Sequence, residues 1–109
     1  MKRILAVLAL TFALALSPLS AQDNVDARVG VQSNQQGNSV AFSVFNNTDG
    51  TVCIFPYVQE STNVYGSVVP MIQLEAGESG VNIGAYAQSN SNYAWFVRVG
   101  AKWRLGTCA

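Results

Sequence analysis

Set aside the first 21 residues, and the chain offers six carboxylates, four cations, two thiols and no histidine for chemistry. Without imidazole the usual general base, proton shuttle and commonest metal ligand are missing. Ser-His-Asp and Cys-His nucleophilic schemes are therefore closed in their usual form. Two thiols fall short of a Cys/His zinc set, and no Gly-rich phosphate loop stands between a strand and a helix. No cofactor or metal is expected. Carboxylates remain: Glu75 and Glu78 flank the Ala76-Gly77 turn, and folding could bring Asp49 and Glu60 together. A glycosidase-like pair needs a cleft between its acids, and so short a chain has little room for one. These four are expected to be solvated turn residues, and the protein is expected not to be an enzyme.

The densest aromatic and basic stretch is 93–104, where Tyr93, Trp95, Phe96 and Trp103 sit beside Arg98, Lys102 and Arg104. Aromatics interleaved with cations can stack on sugar rings or grip a polypeptide. Trp95 reads as a core residue; Trp103 is open between core and surface. The candidate binding face is Tyr93, Arg98, Lys102, Trp103 and Arg104. Beyond residue 21 the acids outnumber the cations by two, so a nucleic-acid partner, which needs a strongly basic face, is not expected.

Met1-Lys2-Arg3, an apolar run over 4–16 and Ser17-Pro18-Leu19-Ser20-Ala21 have the layout of a secretory signal peptide cleaved after Ala21. The apolar run is well short of the roughly 20 residues that span a bilayer, and no cysteine near the cleavage point offers a lipid anchor. The expected organisation is a signal peptide over 1–21 and one domain over 22–109, periplasmic or secreted, with no membrane span after cleavage. In an oxidising compartment an even pair of thiols forms a disulfide. Cys53 and Cys108 are expected to close a loop 55 residues long.

The elements that must position these groups are short strands. Residues 39–58 read as a β-hairpin: Val40, Phe42 and Val44 alternate with Ala41, Ser43 and Phe45, residues 46–50 supply turn chemistry, and 51–55 return. A first strand is expected over 25–32 and a polar turn over 33–38. Pro56 ends the return strand or marks a sheet edge, and 59–63 read as loop. Further strands fall at 64–69, broken by Gly66, at 71–74 and at 81–87, with Ile83, Ala85 and Ala87 on one face. The last two fall at 93–99 and 103–108, separated by a turn at Gly100-Ala101-Lys102. Seven or eight such segments with no helical period predict an all-β antiparallel sandwich. The Asn46-Asn47-Thr48 glycosylation pattern is read as chance turn composition.

The run VAFSVFNN over 40–47, the following Thr48-Asp49-Gly50 and the turn Leu74-Glu75-Ala76-Gly77-Glu78-Ser79 resemble bacterial immunoglobulin-like modules. Among these, the periplasmic curli-assembly chaperones are the most similar in size and export signal. The resemblance implies an immunoglobulin-like β-sandwich of about seven strands, and a role in holding other polypeptides. It carries over no functional residue. Three roles follow as expectations: an envelope binding module working through a sheet edge or the 98–104 face, a chaperone or inhibitor of a secreted fibre subunit or a foreign enzyme, and a glycan-binding or structural surface component using Trp103 and Tyr93.

Overall fold

The computed structural model describes residues 21–22 and 28–109, and the side chains of the latter range. The signal-peptide residues 1–20 and the start of the expected first strand lie outside the described residues. The strands are β1 (Ala21–Gln22), β2 (Val29–Gln36), β3 (Ser39–Asn46), β4 (Val52–Thr62), β5 (Val64–Val68), β6 (Ile72–Leu74), β7 (Val81–Gln88) and β8 (Phe96–Leu105). They form two sheets, β1-β8-β4-β6 and β2-β3-β7-β5. Seven strands pair antiparallel, and the two-residue β1 lies parallel to β8. The fold is an all-β sandwich, as the spacing of apolar segments predicts.

Alternation along the strands makes the core. Val29, Val31, Val40, Phe42, Val44 and Ile83 from one sheet meet Val52, Ile54, Leu74, Val97 and Val99 from the other, all essentially without exposure. Each contributes about 1.5–3 kcal/mol of transfer free energy, against the entropy of ordering it. Trp95 packs half-buried against this cluster.

The stretch 39–58 is not a hairpin. β3 pairs with β2 and β7, and β4 pairs with β6 and β8, so residues 47–51 cross from one sheet to the other. The true hairpin is β2–β3, closed by the two-residue turn Gly37-Asn38 with Gly37 at φ 61°, glycine's place in a type II′ turn. Of the polar turn expected over 33–38, only Gly37-Asn38 is turn, and 33–36 are strand. Those residues are polar because β2 is the outer strand of its sheet.

Pro56 does not end β4. Gly106 N–H donates to Thr51 O at 2.8 Å, so Thr51, Cys53, Phe55 and Tyr57 turn their backbone polar groups toward β8, and Val52, Ile54 and Pro56 turn theirs away. β6 meets Val52 and Ile54 and stops there. Pro56, with no N–H to satisfy, falls where β4 has lost that neighbour. β4 continues to Thr62, through a bulge at Gln59, paired with β8 alone; the expected loop 59–63 is thus mostly strand. Opposite it, Gly100 pairs with Tyr57 inside a continuous β8, so the expected turn at 100–102 does not exist.

A bulge also alters β7. Phe42 faces Gly84 and Ser43 faces Asn82, leaving Ile83 as the extra, buried residue. Beyond it the inward positions pass to Gly84 and Tyr86, and Ala85 is exposed, correcting the expected Ile83/Ala85/Ala87 face. Gly66 and Gly84 make the tight contact between β5 and β7. A Cβ on Gly66 would lie 2.1 Å from Ala85 O, and one on Gly84 2.1 Å from Ser67 O.

Candidate functional site

Strand parity decides which groups share a surface. On β8, Arg98, Lys102 and Arg104 point outward from the sandwich, while Val97, Val99 and Trp103 point the other way. On β4, Cys53, Phe55 and Tyr57 share the outward side, and past the bulge Glu60 comes opposite Arg98. The outer surface therefore carries Phe55 beside Lys102, Tyr57 beside Gly100, and Glu60 beside Arg98. Arg104 stands 5.9 Å from the centre of the Phe55 ring, and Arg98 stands 5.4 Å from that of Phe96. Guanidinium groups over ring faces keep the aromatic rows ordered while leaving the cation at the surface. Arg98 also meets Glu60 at 3.5 Å, and its buried Nε has no hydrogen-bond partner.

One end of this surface is fixed by the Cys53–Cys108 disulfide, which the structure contains as expected. Cys53 faces outward yet has no exposure: the segment after β8 turns back over it. Arg104 Nη1 donates to Thr107 O (3.0 Å) and Cys108 N–H donates to Gln73 Oε1 (3.0 Å), so the tail binds β8, β4 and β6 together.

Of the five expected face residues, Arg98, Lys102 and Arg104 come together and the other two do not. Trp103 lies on the opposite side of β8, half-buried against the core with the Arg28 guanidinium 4.9 Å from its ring centre. It lines a shallow groove of about 560 Å³ with Arg28, Thr48, Asp49 and Leu105. Tyr93, two-thirds exposed, sits in the loop before β8. Asn63 ties that loop down: its Nδ2 reaches the carbonyls of Asn90 (2.8 Å) and Tyr93 (3.0 Å), and its Oδ1 accepts from Asn90 N–H (3.0 Å). Asn63 itself is left-handed, at φ 54°, where asparagine is tolerated.

Glu75 and Glu78 share one turn, and Glu60, expected in a loop, lies on β4. Glu75 accepts from Thr51 Oγ1 at 2.7 Å and from Gln73 Nε2 at 3.2 Å. The Thr51 bond first, then the Gln73 bond, holds its pKa below the usual carboxylate range. Glu78 accepts from Glu75 N–H, closing their shared turn. Asp49 lies in the crossover before β4 and Glu60 near the far end of the strand, which runs about 26 Å from Val52 to Glu60 at ~3.3 Å per residue, so the two are not brought together. Among the described residues no group of three His, Cys, Asp or Glu side chains is placed to hold a metal ion.

Asn46 is the residue whose role the turn composition hides. It is fully buried. Its Nδ2 donates to Gly50 O (2.8 Å), Glu75 O (3.0 Å) and Leu74 O (3.3 Å), and its Oδ1 accepts from Thr48 N–H and Oγ1–H. Its backbone N–H reaches Glu78 O, and its carbonyl accepts from Gly77 N–H. The crossover and the 75–78 turn, separate motifs in the sequence, are thus clamped on one amide. That burial also closes the Asn46 amide to glycosylation in the folded protein.

Set beside known proteins, the chain matches no family model, no curated protein and no solved structure. Among the described residues no helix is long and apolar enough to cross a membrane, and the disulfide is compatible with export.

Proposed function

We propose that the protein is exported and acts without catalysis, as a binding module of the bacterial envelope that engages a protein partner through the outer surface of β4 and β8. One observation carries this reading: Phe55, Tyr57 and Phe96 alternate there with Arg98, Lys102 and Arg104 on paired strands, one end of which is covered by the tail that Cys53–Cys108 ties to β4. Aromatic and arginine side chains supply most of the energy at protein interfaces. A rigid strand platform also spares the partner the entropy of ordering a loop. The n-region, apolar run and small-residue cleavage site support export.

The test is a photo-crosslinking residue at Tyr57 in a tagged copy expressed in its host, with Ser43 on the other sheet as control. A discrete protein adduct at 57 and none at 43 is the expected result. The same adducts from both positions, or none at 57, would refute the reading.

A further inference from the structure

Charge is unevenly placed on this molecule. Of the four cations after residue 21, three project from one row of β8, at 98, 102 and 104. Glu60, on β4, is matched to Arg98. Glu75, at the β6 corner, already accepts hydrogen bonds at both oxygens from Thr51 and Gln73. Neither Lys102 nor Arg104 has a carboxylate partner among the described residues. Arg104 spends one nitrogen on Thr107 O and its plane over Phe55, which orients the guanidinium without neutralising it. Among the described residues this surface therefore carries positive charge at Lys102 and Arg104 with no carboxylate against it, although the chain beyond residue 21 is net acidic.

We infer that the β4–β8 surface binds an acidic segment of its partner in extended conformation, with carboxylates seated at Lys102 and Arg104. The inference rests on the binding-module reading above and names the chemistry of the partner. Spacing supports a polypeptide. Lys102 and Arg104 are two residues apart on a strand, about 7 Å, and Arg98 lies about 13 Å from Lys102. An extended chain presents every second side chain at that same interval, so alternate acidic residues fall in register with the row. Gly100, opposite Tyr57 and without a side chain of its own, leaves the row low between Arg98 and Lys102, with room for the segment's backbone to approach. Arg104 presents its fork to a carboxylate.

The experiment measures fluorescence anisotropy of a labelled peptide of alternating Glu and Thr, titrated with the exported form of the full chain. A Lys-Thr peptide and phosphatidylglycerol vesicles serve as comparators. The Glu-Thr peptide is expected to bind and the Lys-Thr peptide not, with binding abolished at about 0.5 M NaCl, where exposed charges are screened. The pair K102E/R104E should weaken binding by about tenfold or more. The milder pair K102Q/R104Q, which removes the charges without reversing them, should weaken it less, and circular dichroism checks that both variants are folded. Equal binding of both peptides, or affinity untouched by the reversal, overturns the inference. Binding to the vesicles without binding to the Glu-Thr peptide also overturns it, assigning the charge to a membrane surface. Repeating the Tyr57 crosslink in K102E/R104E separates the two readings. An adduct that survives reversal removes the acidic segment and leaves the binding surface standing; no adduct in either protein removes both.

Discussion

Replacing Asn46 with alanine is the most demanding test of how the two sheets are joined. The substitution removes an amide that donates to Gly50 O, Leu74 O and Glu75 O and accepts from Thr48. The buried Leu74 carbonyl loses this donor but keeps its ladder partner on β4, which costs about 1 kcal/mol. The remaining four bonds, to Gly50 O, Glu75 O and the two Thr48 donors, are part-buried, and water recovers much of their loss, leaving about 0.5 kcal/mol for each. Together these give a destabilisation of about 3 kcal/mol. For a domain of this size that lowers Tm by about 12–24 °C. With an m-value of about 1–1.5 kcal/mol/M, the urea midpoint falls by about 2–3 M. Asn47→Ala, one residue on and exposed, should stay within about 0.5 kcal/mol of the parent. Asn46→Asp adds a pH signature. Facing carbonyl oxygens in a buried site, its carboxyl is held above the ordinary range. The folded state then prefers the protonated form, so stability relative to the parent should recover as pH falls and worsen as it rises. A loss below about 1 kcal/mol for Asn46→Ala, or one equal to that of Asn47→Ala, would refute the clamp.

Other outcomes follow from the same structure. Replacing Cys53 and Cys108 together by serine opens a closure of 55 residues and should cost about 4 kcal/mol on the chain-entropy model, read as a shifted urea midpoint; an unchanged midpoint would contradict it. Gly66→Ala drives a methyl group into Ala85 O and should cost about 2–4 kcal/mol. Amide exchange at Tyr65 and Ser67 should accelerate first, and normal protection there would count against the close β5–β7 contact. Glu75 should titrate by NMR below the usual carboxylate range and move up in Thr51→Ala. Because its folded pKa is depressed, its contribution to stability is present above the unfolded value and lost as pH falls through the folded one. Burial raises the Tyr86 pKa, so the contribution of its neutral form is lost as pH climbs past the unfolded tyrosine value, which ultraviolet titration of the phenol detects.

Much of this fold was legible because buried strands alternate. Val40, Phe42 and Val44, and Val97 and Val99, announce their strands by period alone. What failed had a common physical cause. A strand, a polar turn and a strand read the same whether the chain folds back in one sheet or crosses to the next, and only the buried Asn46 distinguishes them. Residues 33–36 and 59–62 look like loop because they lie on strands with a neighbour on one side only, where no position is buried enough to demand an apolar residue. Bulges at Gln59 and Ile83 shift the parity beyond them, so counting by twos misplaces Ala85. In the candidate surface, Arg98, Lys102 and Arg104 were readable as a group. Phe55, Tyr57 and Glu60 join them only once β4 is known to run through Pro56. Trp103, one residue from Arg104, was grouped with it by sequence proximity and separated from it by the pleat.

Asn63 has a mechanical consequence. It is the single residue between β4 in one sheet and β5 in the other, and its amide also grips the loop over 89–94. A corner of one residue has no slack, so the sheets cannot slide past each other there without breaking those bonds. The surface at Phe55 and Tyr57 is built on the strand that runs into the fixed corner, so load applied to it is carried into both sheets together.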